Sequence, residues 1–284
     1  MSHLRNLFHS PAGQQQGQKA VPVAAVLENA PPPAKTATSH VATALTPPEF
    51  PVEQATLCPE NRVAYYNEPR GRAADRFRLL RMRLKPFWTA GKLKKLLITS
   101  PLAHDGKSTM LLNLATALGE RGKKSVLVIE ADLHHSTLTD TLRLKPWAGL
   151  TECLTDETTS PLSLIRRVEP FGWYLMPAGE PRKNATELLQ APTIGHVLDQ
   201  LSPCFDWILI DSPPVIPLTD SLSLQQHVDA SLVVVRAGQT PREAVEQTIE
   251  LLGKKNILGI VLNGMEAREH QYYQYYNAAV HDED

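Results

Sequence analysis

Cysteine is scarce in this chain: Cys58, Cys153 and Cys204 are the full complement among 284 residues. An odd number at such wide spacing suggests neither a disulfide framework nor a zinc-type ligand set, which fits a reducing compartment. Long apolar runs are missing as well. No stretch approaches the roughly 20 apolar residues of a membrane-spanning helix, and the opening residues lack the apolar core of a secretion signal. Membrane association would therefore have to come through a partner. Neither charge is in excess, because 29 basic residues face 30 acidic ones, a net charge of −1. That balance gives no reason to expect nucleic acid as a partner.

The first 60 residues also lack periodicity. Gln14-Gln15-Gln16, Pro31-Pro32-Pro33 and Pro47-Pro48 stand among Ala, Thr and Val. Such a segment buries too little apolar surface to offset its ordering entropy, so residues 1–60 read as a disordered tether. Residues 61–284 are long enough for one sizeable domain. Within it, continuous apolar strands are expected near 95–100, 125–131, 207–211, 231–236 and 257–263, with a weaker one near 172–177. Helices are expected around 107–121, 185–201, 218–227 and 240–254. Apolar strands alternating with helices predict an α/β fold with a mostly parallel sheet covered on both faces.

The chemistry is concentrated at strand ends. Leu96-Leu97-Ile98 runs into a short loop, then Gly106-Lys107-Ser108-Thr109, then an amphipathic helix. Strand, loop, GK[ST] and helix form a phosphate-binding loop. Its N–H groups and helix N-terminus face phosphate, Lys107 adds a positive charge, and Ser108 can ligate Mg²⁺. Two more apolar strands end in carboxylates, at Glu130 and Asp132 and at Asp211 before Ser212-Pro213-Pro214. Either acidic end alone could be a turn or helix cap. Three phosphate- or metal-type sites at consecutive strand ends favour nucleotide binding.

The chain resembles the bacterial tyrosine kinases (BY-kinases) that govern capsule and exopolysaccharide synthesis, over about residues 68–276. Asp75, Arg78 and Arg81 are similar to that family's acidic-x-x-Arg-x-x-Arg assembly helix. Gly149 to Leu154, Pro177-Ala178-Gly179 with Glu187-Leu188-Leu189, Asp211 to Val215 with Thr219-Asp220, Val234 to Thr240 and Gly259 to Asn263 resemble its further motifs. Near the end, Tyr272, Tyr273, Tyr275 and Tyr276 are four of the chain's seven tyrosines. They resemble the family's autophosphorylation cluster within a tyrosine-rich tail, 271–284.

The resemblance implies a P-loop NTPase of the partition-ATPase-like (SIMIBI) type, using ATP and Mg²⁺ to phosphorylate its own tail in trans. It implies nucleotide contacts from His104, Asp105, Gly106, Lys107, Ser108, Thr109 and Asn263. Metal contacts would come from Ser108, Asp132 and Asp211, and catalysis from Lys107, Glu130, Asp132 and Asp211. It also implies a homo-oligomeric ring through Asp75, Arg78 and Arg81. The location would be cytoplasmic, peripheral to the inner membrane through a transmembrane polysaccharide co-polymerase, the chain-length determinant that activates it.

Four positions depart from the family pattern: Pro101, His104 in place of a glycine that often needs positive φ, Glu130 in place of Asp, and His134 in place of Arg or Lys. They keep open a nucleotide-binding regulatory subunit with weak or no kinase activity. A partition-type ATPase is the other alternative. It would carry a signature lysine where this chain has Leu102.

Overall fold

The computed structural model describes residues 24–26, 49–56, 63–120 and 122–265. The tyrosine cluster Tyr272–Tyr276 and most of the expected tether lie outside the described residues. In chain order the elements are β1 (Ala24–Val26), β2 (Val52–Gln54), α1 (Ala64–Asn67), α2 (Arg72–Thr89), β3 (Lys95–Thr99), α3 (Lys107–Leu118), β4 (Val126–Glu130) and α4 (Leu138–Thr141). There follow α5 (Leu150–Thr155), β5 (Arg166–Glu169), β6 (Trp173–Met176), α6 (Ala185–Gln190), α7 (Thr193–Leu201), β7 (Trp207–Asp211), α8 (Asp220–Gln225), β8 (Ala230–Arg236), α9 (Arg242–Leu252) and β9 (Ile257–Asn263).

One sheet joins the strands in the order β1-β9-β8-β3-β7-β4-β6-β5-β2. From β9 to β6 every neighbouring pair is parallel; β1 on β9 and β5 on β6 are antiparallel. The six parallel strands are the six read from apolar runs. They were legible because both faces are buried. Leu96, Ile98, Val126, Val128, Trp207 and Leu209 face the core under α2 and α3, whereas Leu97, Leu127, Ile129, Ile208 and Ile210 face the opposite core. Each fully buried side chain of this kind stabilises the fold by about 1.5–3 kcal/mol.

Three expectations change. The helix expected over 185–201 is two helices, because Pro192 disfavours αR geometry at the preceding residue, and Ala191 is extended at ψ 145°. The domain also reaches back before residue 61. Phe50 packs on Tyr174 and Phe205, and Val52–Gln54 pairs parallel with β5. Thus residues 50–54, expected within the tether, pack with the domain, with Phe50 as an aromatic anchor. β5 went unread because it reads Arg-Arg-Val-Glu, with one fully buried position.

The strand-end carboxylates follow from sheet parity. Successive side chains on a strand alternate faces, so Asp211 shares the α3 side with Trp207 and Leu209, and Glu130 shares it with Val126 and Val128. Register sets Glu130 opposite Asp211 across β4 and β7. All of this lies at the carboxyl edge of the parallel strands, where open α/β sheets bind ligands.

Candidate functional site

α3 begins directly from the loop after β3. Its N-cap, Gly106, sits at φ 95°, and no side chain caps the helix. Its first N–H groups are therefore left for an anion. Gly106 is required twice over: its φ is left-handed, and a Cβ there would collide with the Asn263 amide. Lys107 opens the helix and is 9 % exposed. Ser108 Oγ donates to Asp211 Oδ2 at 3.1 Å and lies 3.4 Å from Thr137 Oγ1. Thr109 occupies the first turn of α3, where its carbonyl accepts from Asn113 Nδ2.

Asp211 is the most perturbed carboxylate. Burial pushes its pKa up to about 7, with Glu130 and Asp132 adding repulsion and Lys107 opposing. Its Oδ1 is buried without a partner. An unpaired buried carboxylate oxygen is costly, and a bound cation would relieve it. The donor set of hydroxyl and carboxylate oxygens suits Mg²⁺. Asp132 lies close enough to feel Lys107, and its Oδ1 accepts the His135 N–H at 3.0 Å. Burial raises its pKa.

Glu130 is placed differently from expectation. Its Oε1 accepts the Leu138 N–H at 2.7 Å and its Oε2 the Ala178 N–H at 3.3 Å. The side chain braces the start of α4 against the segment after β6. Both of its oxygens are thus engaged by backbone donors. Burial raises its pKa, opposed by these backbone donors.

Asp105 and Asn263 are likewise engaged within the protein. The Asp105 carboxylate points back into the loop, accepting the Leu102 N–H and the Thr240 hydroxyl. Asn263 donates to the Asp105 carbonyl at 2.9 Å. Both shape the loop. His104 takes φ 65°, the left-handed backbone expected at a glycine position. Its own carbonyl accepts from Arg236 at 3.1 Å. Two further contacts escaped sequence reasoning. The fully buried Asp220 meets His134 Nε2 at 2.8 Å, and Thr240 meets Asp105; in both cases the partners are far apart in the chain.

On α2, Arg78 pairs with Asp75 at 2.6 Å at the surface and stacks 5.1 Å from the Tyr65 ring. Arg81 turns inward to the Ala117 carbonyl, at 3.2 Å. Among the described residues, no helix is long and apolar enough to cross a membrane.

A glycine-capped phosphate loop on a parallel sheet, facing a buried strand-end carboxylate, defines a P-loop NTPase of the SIMIBI type. No family model matches the chain. It is 27 % identical over 219 residues to the tyrosine-protein kinase YwqD of Bacillus subtilis, covering 76 % of this chain and 92 % of YwqD. It is 30 % identical over 197 residues to the tyrosine-protein kinase CpsD of Streptococcus agalactiae, covering 68 % of this chain and 85 % of that protein. The succinoglycan biosynthesis transport protein ExoP of Rhizobium meliloti is 28 % identical over 227 residues, covering 73 % of this chain and 29 % of ExoP. The fold matches the kinase domain of Escherichia coli tyrosine kinase ETK, with TM-score 0.68 and 24 % identity over 74 % of this chain and 83 % of that one. The chain belongs to the bacterial tyrosine-protein kinases, the BY-kinase family.

Proposed function

We propose that this chain is an ATP-dependent protein-tyrosine autokinase of polysaccharide synthesis. The observation that carries the reading is Asp211, buried with one unpaired oxygen and bonded to Ser108 at the uncapped head of α3. The α3 N-terminus and Lys107 neutralise phosphate charge, and Gly106 lets the backbone approach closely. Ser108, Asp211 and Asp132 would hold Mg²⁺, which when bound offsets charge on the β- and γ-phosphate oxygens. Asp132 stands beside Lys107 with its pKa raised, suited to orient the tyrosine hydroxyl and receive its proton. Positioning of this kind supplies most of the rate in phosphoryl transfer.

Tyr272, Tyr273, Tyr275 and Tyr276 are the proposed acceptors, offered to a neighbouring subunit of a ring whose contacts include Asp75, Arg78 and Arg81. β9 ends at Asn263, whose side chain donates to the loop's Asp105 carbonyl. The likeness to ExoP, which extends well beyond the matched part, supports a membrane co-polymerase as the activating partner. Lys107→Met is expected to abolish tail phosphotyrosine, read by anti-phosphotyrosine blot. Equal signal in mutant and wild type would overturn the assignment. The engagement of Glu130 by backbone favours a second reading, a nucleotide-gated assembly subunit with little transfer. That reading predicts Mg·ATP binding with no phosphotyrosine even when the activator is present.

A further inference from the structure

The loop of this chain lacks features that ordinarily shape such loops. His104 holds φ 65° while carrying a side chain, and Pro101 brings no N–H. Contacts from outside the loop hold it instead. The Thr240 hydroxyl accepts the Arg236 N–H at 2.9 Å and donates to Asp105 Oδ1 at 2.7 Å. Asp105 Oδ2 then accepts the Leu102 N–H at 3.1 Å, closing the loop across its own span. The Arg236 guanidinium donates to the His104 carbonyl. Asp105 is 3 % and Thr240 7 % exposed, so water competes little for their bond. Losing the hydroxyl would strand a carboxylate oxygen in a buried place.

We infer that Thr240 and Arg236, at the turn after β8, are positioning residues: a latch that holds a glycine-poor loop in its phosphate-binding shape. The inference rests on reading that loop as a nucleotide site. A latched loop populates the competent shape almost fully. An unlatched one lets His104 relax out of the left-handed region, and apparent affinity falls with the competent fraction. Latch and residue 104 must then be coupled. Glycine at 104 relieves the strain that the latch opposes, so it should matter most when the latch is gone.

The test is Mg·ATP titration calorimetry on the full chain, with thermal unfolding of each variant alongside. Thr240→Val should weaken binding on the order of tenfold, and Thr240→Ser should restore it. Adding His104→Gly to Thr240→Val should recover most of the loss, a larger gain than His104→Gly gives in the wild-type background. If Thr240→Val does not fold, Arg236→Gln should show a smaller loss with the same dependence on residue 104. Undiminished binding in the Thr240→Val or Arg236→Gln chain overturns the latch. So does a loss that His104→Gly leaves untouched. If wild type itself fails to bind Mg·ATP, the nucleotide reading falls first and the latch with it.

Discussion

The two departures at the heart of the site, His104 on the phosphate loop and Glu130 at the end of β4, are absorbed in opposite ways. At His104 the backbone keeps the left-handed conformation of the glycine it replaces, and the surroundings supply contacts that hold it there. At Glu130 the backbone also keeps its place, in register with Asp211, but the extra methylene carries the carboxylate to two backbone donors. One departure keeps a left-handed backbone and adds a structural burden. At the other, the carboxylate braces two backbone segments. A substitution in a motif thus has to be judged by where its side chain ends, not only by the position it occupies.

The sharpest way to break the comparison is truncation at both places. Glu130→Ala leaves the Leu138 and Ala178 N–H groups without their acceptor, and should destabilise the fold by about 2–4 kcal/mol. For a domain of this size that lowers Tm by about 5–10 °C. His104→Ala removes an exposed side chain and should move Tm by less than about 2 °C. Equal shifts at the two positions would erase the distinction drawn between brace and loop.

A smaller effect tests Asp211, in register with Glu130. Because the Asp211 pKa is raised in the folded chain to about 7, the native state holds more protons than the unfolded one between pH 4 and 7. Its ionisation therefore costs stability as pH rises through that window. Without Mg²⁺, Asp211→Asn should raise Tm by about 5 °C at pH 8, with the gain shrinking toward zero near pH 4. The same variant should lose phosphotransfer at every pH. A Tm gain independent of pH would show that Asp211 is not held against its own charge.

How much of this could be read from residue order alone depends on range. β3, β4, β7, β8 and β9 were legible because strands buried on both faces carry unbroken apolar runs. Lys107, Ser108 and Asp211 were legible because their spacing is local to a strand and the turn after it. β5 was not, since a four-residue strand with two arginines and one fully buried position has no such run. Nor was the partner of Glu130. Parity along β4 says which face the side chain takes, but the donors come from residues 138 and 178. Thr240 is 135 residues from Asp105, and their bond exists only once β8 lies beside β3. Local spacing reveals the groups that are candidates for chemistry. Tertiary contacts decide which of them are free to do it.

The central claim is that this site transfers phosphate to the tail of another copy. The most direct measurement mixes two chains with Mg·ATP and the membrane activator: a Lys107→Met chain with its tail intact, and a chain with all four tail tyrosines changed to Phe. Mass spectrometry then maps phosphate on each. The account predicts phosphate at Tyr272, Tyr273, Tyr275 or Tyr276 of the Lys107→Met chain only in the mixture. A tail that stays unmodified in the mixture, while the partner chain binds Mg·ATP, would contradict it.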